Sequence, residues 1–281
     1  MVALGFIPRE AILVWTGLAI FYMLFSPAED SLWLAVASIP LFAALPLSEG
    51  FDTMANWRLL IAVLFLCLFF KNGISLYLTK DASGKWRLKE SLKHYPVEYL
   101  TLGFLLIAAL SVGVASFKVL AIKKLLFLVN ILLLFLITRN LTRTKEAILR
   151  IWQAAAVGSV VVIAVALAQF LAVLFVSLVS FWQFWASKVI SVFYGQNLAD
   201  LLAYANTWFA YYQAAPPTLR LFSVFPDSHS FAMFSILSVP ILLALAFFYK
   251  NQRRLKIFFW ALASLALFLS LIHISEPTRP Y

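Results

Sequence analysis

In the stretch RLFSVFPDSHSFAMFSIL (residues 220–237), an arginine, an aspartate and a histidine stand at the opening of an otherwise apolar run. The guanidinium of Arg220 is a planar fork of donors that suits phosphate and diphosphate oxygens. Pro226 favours the first turn of a helix, and Asp227 or Ser228 is of the type that caps one. A helix opening there points free N–H groups and the positive end of its dipole at the same region, which favours an anion. Asp227 weakens such a site unless it orients Arg220 or His229. A plain architectural account uses the same residues. Asp227 caps the helix, His229 decorates its first turn, and Arg220 reaches for lipid headgroups. Both accounts fit the sequence.

Other chemistries fit these residues poorly. Asp227, Ser228 and His229 are immediate neighbours, and adjacency does not make a Ser-His-Asp triad. His94 lies in a basic connector and His273 near the C-terminus, which leaves His229 with Asp227 alone, so neither a metal site nor a cofactor is expected. Cys67, the only cysteine, lies inside an apolar run as a small core residue and can build no disulfide or thiolate site.

The elements that must position these side chains are apolar helices. Of 281 residues, 64% are hydrophobic and 12% charged, and the mean hydropathy is +0.95. A soluble domain carries roughly 25% charged residues. Long apolar runs recur between short polar connectors, without the alternation of a membrane barrel, so the expected fold is all-α and polytopic. Eight runs are candidate spans: residues 11–26, 32–47, 54–70, 97–117, 119–137, 151–173, 231–249 and 255–268. Arg9 and Glu10 precede the first run with no cleavage site after it, so no removable leader is expected.

The net charge of +10 is concentrated in connectors. Residues 71–96, 138–150 and 250–256 are strongly basic and are assigned to the cytoplasm. That accounts for the charge without nucleic acid. The acidic connector 48–52 and the long segment 174–226 then face outward. Lys118, Lys123 and Lys124 fall on this outer side against the rule, and snorkelling from a short turn is the expected explanation. The N-terminus also comes out external. Segment 174–226 is rich in Phe, Trp and Tyr with few charges. One or two amphipathic helices in the outer headgroup layer would bury it, as an aromatic belt or as a shelf for a long-chain lipid.

The motif RLFSVFPDSHSFAMF resembles the signature of the O-antigen ligase and O-antigen polymerase superfamily, in which an Arg is followed by a Gly/Ser-rich turn, Phe, Pro and Asn. The order of features over residues 48–268 is similar too: a basic loop, paired helices, an aromatic outer segment, then the motif. The resemblance implies a multi-pass enzyme of the bacterial cytoplasmic (inner) membrane that moves a glycan from undecaprenyl diphosphate to a lipid or glycan acceptor, using no metal or cofactor. By the resemblance Arg220 binds the donor diphosphate, and Asp227 and His229 are the catalytic candidates. Asp227-Ser228-His229 stand where many members have Asn. The resemblance further implies essential Arg and His residues in a later outer loop, so residues 1–268 are expected to form the N-terminal part of such an enzyme and to be inactive alone. Residues 269–279, LSLIHISEPTR, resemble a translated sequencing adapter, and 269–281 are expected to be an assembly artefact.

A transporter or channel component is the alternative. Broken helices and internal repeats would favour it. Pro40 and Pro46 hint at one break, but no matching segment, repeat or acidic residue inside a span accompanies them.

Overall fold

The computed structural model describes residues 8–41, 43–46, 54–72, 95–203, 209–212 and 215–271. Its main elements are helices. They are α1 (Ala11–Phe25), α2 (Ala28–Ser38), α3 (Asn56–Asn72), α4 (Pro96–Val112), α5 (Lys118–Leu141) and α6 (Lys145–Phe175). After them come α7 (Leu178–Phe184), α8 (Ser191–Tyr194), α9 (Gln196–Ala203), α10 (Ser228–Phe248) and α11 (Arg253–Leu271). Helices α5, α6 and α10 are each long and apolar enough to cross a membrane, while α1, α3 and α4 are shorter apolar helices.

Local chemistry sets the boundaries. The Thr144 hydroxyl accepts the Ala147 N–H and caps α6, whose first turn also carries Glu146. Pro96 opens α4 at a position where no N–H is needed. The second apolar run departs from expectation. Helix α2 is only 11 residues long and gives way to a 3-10 turn, Ile39–Leu41. Pro40 lacks the N–H that would continue the ladder. Further on, Ala44 bridges Ala55. The run 32–47 is therefore not one spanning helix.

Two cores organise the bundle. Met23, Leu32, Leu60, Ile61, Leu64, Leu68 and Ile137 join α1, α2, α3 and α5. Val162, Ile163, Ala166, Phe222, Phe231, Leu242, Leu245 and Ala266 join α6, α10 and α11 to the segment before α10. Helix α2 bridges the two by packing on α6. At that crossing an added Cβ on Gly158 would stand 2.7 Å from Cγ of Pro40 and 3.2 Å from the Ala37 carbonyl oxygen. Only a residue without a side chain permits this approach.

Helix α4 packs against α5 and leaves most of its apolar surface exposed. Its Glu98, in the first turn, is buried and forms an ion pair with Arg139. An acidic residue thus does lie at the edge of a span, paired with a cation on the neighbouring helix.

The segment before α10 is more varied than amphipathic helices alone. Helix α7 runs through a π-helical stretch, Trp185–Ile190, into α8, and Gly195, at φ 83°, breaks the chain before α9. A two-stranded antiparallel hairpin follows, β1 (Phe209–Tyr212) with β2 (Ala215–Leu219), in the register Phe209 to Leu219 and Ala210 to Thr218. Pro216 and Pro217 lie in β2, which among the described residues pairs with β1 alone, so their missing N–H groups are tolerated. Residues 269–271, placed by sequence in the artefactual tail, continue α11, with Leu269 buried. The rest of that tail, with His273, lies outside the described residues, as do His94 and the connector 48–52.

Candidate functional site

The turn between β2 and α10 is built outward from buried residues. Leu219, Leu221 and Phe222 are buried. The Phe222 ring meets Trp185 edge-on, with centroids 5.6 Å apart. The next residue, Ser223, has φ 54°. A non-glycine residue rarely adopts this left-handed conformation, so neighbours must hold it there.

Gln169 on α6 supplies that hold. Its Oε1 accepts the Ser223 N–H at 2.8 Å, and its Nε2 donates to the Ser223 carbonyl at 2.9 Å. The Ser223 hydroxyl donates to the Val162 carbonyl at 2.6 Å. Both side chains are buried, so these bonds form away from competing solvent. The Phe225 N–H donates to the Phe222 carbonyl at 2.9 Å and closes the turn. Gln169 escaped the reading of the sequence because a lone glutamine in an apolar helix gives no sign of a partner 54 positions away.

Arg220 leaves β2 just before this clamp. It is half-buried, with its Nε enclosed. Its backbone is thus flanked by buried Leu219 and Leu221 and fixed three residues later by Gln169. Such anchoring fixes the backbone that carries the guanidinium. Asp227 is the N-cap of α10. Its Oδ1 accepts the Ser230 N–H at 2.8 Å and its Oδ2 the Ser230 hydroxyl at 2.7 Å. His229 is exposed on the first turn of α10. The capping account is therefore correct for Asp227. Arg220 and Asp227 lie at opposite ends of one pinned turn, and His229 lies outside it.

A further polar group joins the site from α8. Tyr194 is buried. Burial first, and then the negative charge of Asp227, push its phenol well above the usual tyrosine range. Tyr194 is therefore neutral at ordinary pH and close enough to Asp227 to feel its charge. The neighbouring residue, Phe193, accepts the Ala44 N–H at 2.8 Å, which ties this segment to the strand leading into α3.

Aromatic rings surround the turn. Trp182 meets Phe209 of β1 at 5.7 Å, Phe181 stacks on Trp185 at 5.5 Å, and Phe225 contacts Phe234 at 5.2 Å. An anchored arginine thus stands beside an apolar, aromatic bed. Among the described residues, no group of three or more His, Cys, Asp or Glu could hold a metal ion. No family profile, curated protein or solved structure matches the chain. The site must be interpreted from its own chemistry.

Proposed function

We propose that this chain is an integral membrane glycan transferase of the O-antigen ligase or polymerase type. It acts at the bacterial cytoplasmic membrane on a glycan carried by undecaprenyl diphosphate. One observation carries the reading: Arg220 is held on a clamped, buried turn between an aromatic bed and the capped opening of α10. A diphosphate-linked polyprenol needs both features at once, a fixed cation for its phosphates and apolar surface for its chain.

In this reading Arg220 binds the donor diphosphate and stabilises the charge that develops on the leaving group as the glycosidic bond to phosphate breaks. The Asp227 carboxylate already takes the Ser230 N–H at the opening of α10, so the positive charge of the site comes from Arg220. The same carboxylate orders that first turn through Ser230. His229 is exposed where an acceptor hydroxyl would approach, and is the candidate to take up its proton. The left-handed Ser223 supports the family resemblance, because a Gly/Ser-rich turn after the arginine is part of that signature. With the basic connectors 138–150 and 250–256 in the cytoplasm, α6 and α10 each cross once and carry the site to the outer face in this reading.

Transfer of a labelled lipid-linked glycan in native membranes tests the proposal. In the full-length enzyme, Arg220→Ala abolishes transfer while leaving the amount of inserted protein unchanged. Normal transfer by a well-inserted variant would overturn the role of Arg220.

A further inference from the structure

A cavity of about 250 Å³ lies between α3 and α5, away from the Arg220 turn. Its wall is mostly apolar, with Leu59, Leu126, Phe127 and Leu133, and the polar residues Arg58, Lys123 and Asn130 join it. Leu126 and Phe127 are exposed, whereas Asn130 is only 8% exposed, so the cavity opens on the bundle surface and closes inward. Neither cation is idle. The Arg58 guanidinium lies 3.5 Å from the Phe127 ring centroid and 5.5 Å from that of Trp57. Lys123 is engaged with a neighbour of its own. The charges are therefore answered, and an anion is not what this cavity lacks.

What it lacks is a hydrogen-bond donor. Nδ2 of Asn130 donates to the Arg58 carbonyl at 2.8 Å. A carbonyl oxygen can only accept, so the amide nitrogen must be the atom that faces it. Oδ1 is left enclosed, with no hydrogen-bond partner among the described residues. The Nδ2 bond pairs a residue near the start of α3 with one about halfway along α5. Helix α5 is long and apolar enough to cross a membrane, so this amide lies near the middle of its span. Water is scarce at that depth, and an unsatisfied acceptor there is costly.

We infer that this cavity binds a neutral, lipid-soluble alcohol. Its hydroxyl donates to Oδ1 of Asn130, and its hydrocarbon runs out past Leu126 and Phe127. The size suits the hydroxyl end of such a molecule. A cavity of about 150 Å³ holds benzene, so one of about 250 Å³ holds about ten non-hydrogen atoms. An esterified glyceride fits less well, because its carbonyls would be buried against the apolar wall without donors. Straight-chain and isoprenoid alcohols share the required chemistry. This inference goes beyond the transferase reading and does not depend on it.

The test uses the full chain, purified and returned to bilayers, with a photoreactive decanol that carries a diazirine on its chain. Mass spectrometry then locates the label. The wild type is labelled on the peptides of α3 and α5 that line the cavity. Decanol competes about tenfold better than decyl methyl ether, the difference expected of one buried hydrogen bond. Geraniol, of similar size, is compared with decanol. The stronger competitor assigns the natural alcohol as isoprenoid or straight-chain, and equal competition upholds the shared chemistry. Ala62→Phe, which fills the cavity, removes the labelling. Asn130→Leu, which keeps the shape but not the acceptor, makes alcohol and ether equal competitors. Each variant is first checked for a wild-type elution profile, and competition on the wild type decides alone if Asn130→Leu fails to fold. Three results would overturn the inference. They are a wild type in which the ether competes as well as decanol, labelling that persists in a well-folded Ala62→Phe, and decyl phosphate outcompeting decanol, which would mark an anion site.

Discussion

Gln169 and Ser223 show how a single side chain can fix the backbone around a candidate diphosphate-binding arginine. Replacing Gln169 with Leu leaves the buried N–H and carbonyl of Ser223 without partners, at a cost of about 1–3 kcal/mol for each group. The expected outcome is lower thermal stability together with weaker donor binding, although Gln169 touches no ligand itself. A melt and a binding titration on the same preparation check this. Tyr194 gives a separate prediction in pH. Its folded-state pKa lies above the unfolded value of about 10 because of burial and then Asp227. Above that pH the unfolded chain loses the tyrosine proton while the folded one keeps it. Stability from this group is therefore fully present below about pH 10 and falls as pH rises beyond it. Thermal unfolding between pH 9 and 11.5 should show that decline in the wild type and a shallower one in Tyr194→Phe.

At the scale of the elements, the crossing of α2 and α6 depends on Gly158. Adding one methyl there meets the Pro40 ring and the Ala37 carbonyl, neither of which moves freely. Gly158→Ala is expected to cost about 1–3 kcal/mol, as overpacking does, and to lower the yield of folded protein in a size-exclusion assay. The helices themselves were largely legible in the sequence. The run 119–137 became α5, 151–173 became α6 and 231–249 became α10, each with different ends. Helix α6 begins at Lys145, six residues before its apolar run, because a Thr144 cap and amphipathic residues continue a helix that hydropathy cannot register. The run 32–47 failed as a span because hydropathy ignores the missing N–H of Pro40. The β hairpin was not legible either, since aromatic residues suit an interfacial helix and a strand alike. Of the site, Arg220, Asp227 and His229 could be picked out from their types, and Asp227 caps α10 as its type suggested. Gln169 and Tyr194 could not, because each depends on a residue distant in sequence.

At the scale of the whole molecule, a cation stands on a pinned turn beside an aromatic bed, held against the helices of the second core. The bridge from Phe193 to Ala44 joins this region to the start of α3. The most direct test of the central claim is the affinity of the purified chain for undecaprenyl diphosphate, read from the fluorescence of Trp182 and Trp185 beside the turn. Undecaprenol serves as the uncharged control. The account predicts that the diphosphate binds far more tightly than the alcohol, and that Arg220→Gln lowers its affinity about 10- to 100-fold, the loss expected for charge-assisted hydrogen bonds, while binding of the alcohol is unchanged. Equal binding of the two lipids, or an Arg220→Gln variant that binds the diphosphate as tightly as the wild type, would contradict it.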